Sequence, residues 1–276
     1  MKICRFNDNR LGLVQGEVIG DVTHVLDLLP SIRWPAPHGD LLIENLPVIL
    51  EALNGLDLPG TVHRVQDVKL LSPVANPSKI IGAPANFMPE DGSTPKRTAR
   101  DIGMFLKATS SICGAGEGVI ADWPGWIVEH EIELAVVIGR KGFAISEKDA
   151  LGYIAGYTIG LDMTARGTQD RSFRKSFDSF SVLGPWLVTP DELGDPNVVE
   201  LMLSVDGKCM QHASTASLIL NIQQLVEYTS SIYTLHPGDV LMSGSPDGVS
   251  PVSAGARIDA SISGIGTMEV FARALE

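Results

Sequence analysis

The segment that constrains this chain most is Glu129-His-Glu-Ile-Glu-Leu-Ala-Val-Val-Ile-Gly139. Its second half is an unbroken apolar run, which fits a strand buried on both faces. Its first half is acidic. Side chains alternate along a strand, so Glu129, Glu131 and Glu133 fall on one face and His130, Ile132 and Leu134 on the other. Three carboxylates on one face repel one another unless water or a positive charge separates them. A solvent-facing edge is one solution. A divalent cation is the other, and the run into a buried strand calls for that kind of neutralisation.

A second segment bears on the choice. Gly156-Tyr-Thr-Ile-Gly-Leu-Asp-Met-Thr-Ala-Arg166 is apolar up to Asp162, and Arg166, Gln169, Arg171, Arg174 and Lys175 follow closely. An acid at a strand end ahead of a cationic, amide-bearing turn suits an anionic substrate. The alternative makes Asp162 the N-cap of a surface helix.

Composition narrows the field. The 276 residues carry 33 Asp and Glu against 21 Lys and Arg, a net charge of −12. That argues against nucleic acid or an anionic membrane as a partner. No apolar stretch reaches the ~18 residues of a membrane span, and the first residues lack a signal-peptide core. Cys4, Cys113 and Cys209 are scattered and form no CxxC pair. A disulfide framework or a cysteine zinc site is therefore not expected, and a reducing cytoplasm is. Gly114-Ala-Gly-Glu-Gly118 does not fit GxGxxG, and no Walker lysine is present. Gly244-Ser-Pro-Asp-Gly248 has proline where a nucleophile elbow needs serine, and His130-Glu131 lacks the second histidine of HExxH. The six histidines have no ligand-like spacing, and the four tryptophans read as packing residues.

With 28 glycines the chain reads as rich in turns and strands. Strands are predicted at Lys2–Phe6, Leu11–Gln15 and Val22–Leu26, then a helix over Asp40–Leu53 broken near Pro47. A crowded Pro73, Asn76 and Pro77 suggests a boundary, giving a small α+β unit over 1–71 and a larger one over 72–276. In the larger part, strands are predicted at Lys79–Ile81, Met104–Lys107, Glu129–Gly139 and Gly156–Met163. A helix follows Ser146 through Gly152. Asp206-Gly207 marks a hairpin between Val199–Val205 and Lys208–Ser214. An amphipathic helix covers Leu218–Ser231, and Val240–Met242, Arg257–Ile262 and Met268–Ala274 complete the sheet.

These residues carry a resemblance. Lys79-Ile-Ile-Gly-Ala-Pro-Ala-Asn-Phe87, Met104-Phe-Leu-Lys107, His130–Gly139, Ala155-Gly-Tyr157, Leu161–Arg166, Lys175-Ser-Phe-Asp178, Leu183-Gly-Pro-Trp186, Leu235-His-Pro-Gly-Asp239 and Ser243-Gly-Ser-Pro246 follow one another as in the fumarylacetoacetate hydrolase family. Each motif alone is weak, while the ordered set from about Ser72 onward is specific. The chain resembles that family, which implies a mixed α/β, β-rich roll or sandwich with a small N-terminal α+β module, usually a homodimer.

The resemblance also implies a metal, Mg²⁺ with Mn²⁺ or Ca²⁺ as alternatives, held by Glu131, Glu133 and Asp162. Glu129 then becomes an outer or solvent-facing residue. Lys175 takes the place of the catalytic lysine and Gln169 that of the glutamine that orients substrate or water. Arg166 matches the carboxylate-binding arginine, Gly244 and Ser245 match the turn that grips a substrate carboxylate, and Lys107 matches a lysine near the substrate entrance. The implied chemistry is cleavage of a C–C bond in a 2-oxo or 1,3-diketo acid, such as an acylpyruvate or diketo-sugar acid, through a metal-stabilised enolate.

One departure stands out. Hydrolytic and decarboxylating relatives often carry a His-x-x-Glu pair on a short lid helix, whereas here the run is Asn86-Phe-Met-Pro-Glu-Asp-Gly-Ser93. Glu90 takes the histidine position and Ser93 the glutamate position, and Pro89 and Gly92 disfavour a helical lid. Glu90 or Asp91 is then the water-activating base of a hydrolase. The alternative reaction is a decarboxylation or keto–enol isomerisation, which needs no attacking water. A non-catalytic small-acid binder is the third reading.

Overall fold

Three strands buried at every position, Ile132–Ile138, Ile154–Asp162 and Ser181–Val188, lie side by side at the centre of the protein. The computed structural model describes residues 1–55 and 61–275. Among the described residues the strands form sheets of twelve, three and five. The largest runs Val62–Arg64, Val18–Asp21, Arg10–Gln15, Lys2–Phe6, Ser181–Val188, Ile154–Asp162, Ile132–Ile138, Val240–Met242, Ile80–Gly82, Phe105–Lys107, with Leu70–Leu71 and Ile112–Gly114 as side branches. The five-stranded sheet runs Lys208–Ser214, Glu200–Val205, Arg257–Ile262, Gly266–Ala274, Val119–Asp122.

Alternation explains why the central strands are apolar throughout. Leu134 and Val136 face a core shared with Leu201, Leu203, Ile258 and Ala260 of the five-stranded sheet and with Ile222, Leu225 and Val226 of the helix Ile222–Ser230. Ala135 and Val137 face the opposite core, closed by Ile43, Leu46, Ile49 and Leu53 of two short helices. The mixed α/β, β-rich reading is thus correct.

The predicted strand Lys2–Phe6 and the Asp206-Gly207 hairpin form as expected. The helix over Asp40–Leu53 is two, Leu41–Glu44 and Leu46–Leu53, with Pro47 in the first turn of the second, where a missing N–H costs nothing. Val22–Leu26 is not a strand. Asp21 accepts hydrogen bonds from the Thr23 N–H and hydroxyl, which winds Thr23–Leu28 into a 3₁₀ helix, and the third strand is Val18–Asp21. Glu147–Tyr153 is likewise 3₁₀, with the Ser146 hydroxyl on Asp149. The last long helix begins at Ile222 and not at Leu218, because Asn221 caps it with a reciprocal Gln224 contact. Of the tryptophans, Trp34 is 95% exposed and does not pack.

The N-terminal residues join the rest through the sheet: Lys2 pairs with Val188 and Ile3 with Leu187. Asp40 adds a second tie, because Oδ1 caps Leu41–Glu44 while Oδ2 accepts the N–H groups of Ala75 and Asn76. A comparable anchor is the buried Asp239, which accepts from the Ser78 hydroxyl, the Lys79 N–H, the Lys79 ammonium and the His236 N–H. It holds the start of Ile80–Gly82 against its parallel partner Val240–Met242.

Removing Asp239 strands a lysine and several donors in a site with little water, so Asp239→Ala is expected to cost about 3 kcal/mol in a denaturant melt, with Asp239→Asn less damaging. Burial pushes the thiols of Cys4 and Cys113 up to about 12, whereas Cys209 is exposed. A disulfide-exchange reagent is therefore expected to titrate one thiol rapidly in the native protein and all three after denaturation.

Candidate metal and substrate site

The site forms where two neighbouring strands leave the large sheet together. Ile132–Ile138 pairs with Ile154–Asp162, placing Ile132 opposite Leu161 and Glu133 opposite Gly160. Beyond that point the same two chain segments pair again, as Val128–His130 with Thr164–Ala165, but now in the three-stranded sheet. Glu131 lies at the junction, where its carbonyl accepts the Asp162 N–H at 2.9 Å. The predicted single strand Glu129–Gly139 is therefore two strands, and the three glutamates do not share one face. Glu131, Glu133 and Asp162 converge, with one carboxylate oxygen of each within 4.8 Å of the others. Glu129 is buried outside this group, and its Oε1 accepts from Arg166 Nε at 3.1 Å and Nη2 at 3.0 Å.

Two lysines complete the cluster. Lys175 Nζ lies 2.9 Å from Glu131 Oε2 and 2.7 Å from Asp162 Oδ2. Lys107 Nζ bonds Asp162 Oδ1 and donates to the Phe180 carbonyl at 2.7 Å. Burial works against the charge on Asp162, yet the two ammonium groups outweigh it and hold the carboxyl below its usual range. Burial also opposes the Lys175 charge, but Asp162, Glu131 and Glu133 together raise it above the ordinary lysine range. Lys107 is lowered, first by burial, with Lys175 adding to the effect. Glu133 is pushed well up by burial and then by Asp162.

Glu133 is what tests the fit of a metal. It is 2% exposed, and the hydrogen bond it receives is one backbone N–H, from Gly244 to Oε2 at 2.6 Å. A buried carboxylate with one neutral donor, beside two further carboxylates, is a hard oxygen site short of positive charge. The donor set fits a divalent cation, with Glu131, Glu133 and Asp162 as its candidate ligands.

The other expected residues are placed unevenly. Lys107 is not near an entrance: it is 3% exposed, because alternation along Phe105–Lys107 turns positions 105 and 107 inward and Leu106 outward. Asp162 is not a helix N-cap; it ends a nine-residue strand, and the following helix Arg171–Arg174 is capped by Asp170. Lys175 turns inward at the end of that helix. Gln169 lies on the exposed loop between, its carbonyl accepting from Arg174 Nε. The Arg166 guanidinium is largely exposed and paired with Glu129. Glu90 is exposed, with its backbone N–H on Asp247 Oδ2 at 3.1 Å, so its segment is tied to the Gly244–Gly248 loop. Gly244 and Ser245 adjoin Glu133 through the Gly244 N–H.

Three contributors carry no motif signal of their own. The Thr164 hydroxyl donates to Glu131 Oε1 at 3.0 Å. His130 is fully buried, and burial lowers its pKa, which favours the neutral ring; its nitrogens meet Gln211 Oε1 and the Ser250 hydroxyl. Gln211 reaches from the five-stranded sheet to both the metal strand and the Ser245 turn. No sequence signal marks it, because the regular register of the Asp206-Gly207 hairpin would set Gln211 opposite the exposed Met202.

The comparisons with known proteins bear on the fold and the family. Residues 83–271 match the family description "Fumarylacetoacetate (FAA) hydrolase C-terminal". A maleylpyruvate hydrolase of Aquipseudomonas alcaligenes is 47% identical over 287 residues, covering 100% of both chains. The structure of a maleylpyruvate hydrolase from a Sphingobium species, in complex with manganese(II) and pyruvate, superimposes with a TM-score of 0.87 at 34% identity over 100% of both chains. A 5-carboxymethyl-2-hydroxymuconate delta-isomerase from Mycobacterium smegmatis superimposes at 0.76 with 30% identity, again over 100% of both. The carboxylate and lysine cluster, the ordered motifs and these likenesses lead to one assignment: the chain belongs to the fumarylacetoacetate hydrolase family.

Proposed function

We propose that this enzyme is a divalent-metal-dependent hydrolase that cleaves the C–C bond of an acylpyruvate, with maleylpyruvate the first substrate to test. The observation that carries the reading is the 47% identity to a maleylpyruvate hydrolase along the whole of both chains. The buried carboxylate and lysine cluster, and the likeness to a structure containing manganese and pyruvate, support it. Mg²⁺ is the proposed ion, with Mn²⁺ or Ca²⁺ as alternatives, and the enzyme is proposed to work as a cytoplasmic homodimer on a small 2-oxo acid.

In this reading Glu131, Glu133 and Asp162 hold the cation. When bound it polarises the neighbouring carbonyl and carboxylate oxygens of the 2-oxo acid. Lys175, kept charged by its three carboxylate neighbours, donates to the oxygen that gains negative charge as the C–C bond breaks. Lys107 offsets Asp162 from behind and stays out of reach of solvent. Gly244 and Ser245 grip a substrate carboxylate, and Arg166 reaches a second one by leaving Glu129. Gln169 orients substrate or water.

Glu90 is the proposed base. It takes a proton from the water whose oxygen adds to the acyl carbonyl; the bond to the pyruvate carbon breaks, that carbon takes a proton, and a carboxylic acid and pyruvate leave. Asp91 is the poorer base because Ser93 donates to its carboxylate and holds it below the usual range. The absent His-x-x-Glu pair and the 30%-identical isomerase favour a second reading, isomerisation or decarboxylation on the same site. Product analysis with maleylpyruvate separates the two: pyruvate plus maleate supports hydrolysis, whereas a rearranged acid or released CO₂ supports the second.

Calorimetric titration with Mn²⁺ is expected to show binding abolished in Glu133→Ala and Asp162→Ala; unchanged affinity in these variants would undo the ligand assignment. Lys175→Met is expected to retain Mn²⁺ and lose turnover by about 10²–10³-fold. Glu90→Gln is expected to lower kcat by about 10²-fold or more, and full activity in both Glu90→Gln and Asp91→Asn would move the base elsewhere.

A further inference from the structure

Gln211 is 1% exposed and belongs to the five-stranded sheet, yet its carboxamide is spent on the site. Oε1 accepts the Ile132 N–H at 3.1 Å, between the candidate ligands Glu131 and Glu133. Nε2 lies 2.8 Å from Ser245 Oγ and 2.8 Å from the Pro246 carbonyl. These partners fix the orientation of the amide. A backbone N–H can only donate, so the atom facing Ile132 is the oxygen. A carbonyl can only accept, so the atom facing Pro246 is the nitrogen. Both ends give the same answer. His130 Nδ1, 3.1 Å from the same Oε1, then carries the ring hydrogen, and its Nε2 accepts from the Ser250 hydroxyl at 2.8 Å.

The consequence falls on Ser245. Its oxygen receives a hydrogen from Gln211, so its own hydroxyl hydrogen points to some other acceptor. Gly244, the residue before it, donates its N–H to Glu133. The loop is seated closely as well: a Cβ at Gly248, where φ is +98°, would lie 2.0 Å from the Met210 carbonyl, one residue from Gln211. The hydroxyl is therefore a committed donor, one residue from the Gly244 N–H that meets Glu133.

We propose that Gln211 is a positioning residue that makes Ser245 donate its hydroxyl hydrogen to a carboxylate oxygen of the 2-oxo acid. The proposal rests on the reading of Ser245 as a substrate contact, and the test separates the two. Mn²⁺ is titrated into the apoprotein and pyruvate into the Mn²⁺-loaded protein, both followed by water-proton relaxation. Ser245→Ala and Gln211→Met are each expected to weaken pyruvate about 10-fold. The double variant is expected to be no weaker than either single one, and Mn²⁺ affinity to stay within about twofold throughout. Wild-type pyruvate affinity in Gln211→Met, or single effects that multiply in the double variant, would overturn the proposal. Wild-type affinity in Ser245→Ala would instead remove the substrate contact on which it rests. Gln211→Glu covers the case in which Gln211→Met does not fold. Its neutral carboxyl can donate as the amide does and its carboxylate can only accept. Pyruvate affinity is then expected to fall between pH 6 and pH 9 in Gln211→Glu and not in Gln211→Glu/Ser245→Ala; equal pH profiles would overturn the proposal.

Discussion

Three carboxylates and two ammonium groups share one buried volume, and the imbalance between them governs the centre of this protein. The lysines offset two of the charges and leave one negative charge uncompensated in a region of low dielectric, where such a deficit is costly. Glu133 registers that deficit, with a carboxyl driven well up by burial and by Asp162. A divalent cation together with a singly charged 2-oxo acid brings the whole to neutrality. The same count shows why Lys107 is buried beyond any contact with solvent: it holds Asp162 ionised from behind, while Lys175 stands among the carboxylates in front.

The geometry that gathers these charges is a seam. Two paired strands pass from the twelve-stranded sheet into the three-stranded one at the same level, and the break in regular pairing at Glu131 lets residues from both strands converge. A continuous strand would have presented Glu129 beside Glu131 and Glu133. The seam instead gives Glu129 to Arg166. Support comes from a third element, the hairpin of the five-stranded sheet, through Gln211. The site thus draws on all three sheets, the five-stranded one reaching it through the Ser245 turn.

Much of this was legible in the sequence because it follows from local rules. The apolar run Leu134–Ile138 marked a strand buried on both faces, the Asp206-Gly207 turn marked a hairpin, and the family resemblance, not the spacing alone, singled out Glu131, Glu133 and Asp162 as the acidic centre. What escaped depends on tertiary detail. A regular two-residue hairpin would set Gln211 opposite Met202, on the exposed face. A bulge at Met210 shifts the register so that Gln211 lies opposite the buried Leu203. One inserted residue flips a side chain from water to core, and no periodicity in the sequence announces it. The interruption at Glu131 escaped for a similar reason, since it arises where two sheets meet and not from any strand-breaking residue. Lys107 was misplaced because a lysine suggests surface, and the carboxylate that draws it inward lies 55 residues away in the chain.

The pairing of Lys2–Phe6 with Ser181–Val188 has a bearing on how the molecule is made. Lys2–Phe6 pairs with Arg10–Gln15 along one edge, while its other edge is divided between the nearby Leu70–Leu71, opposite Arg5 and Phe6, and the distant Ser181–Val188, opposite Lys2 and Ile3. Until Ser181–Val188 has been synthesised, the Lys2–Ile3 part of that edge is an open strand edge that another chain can pair with. The order of synthesis and the order of assembly run in opposite directions at this edge.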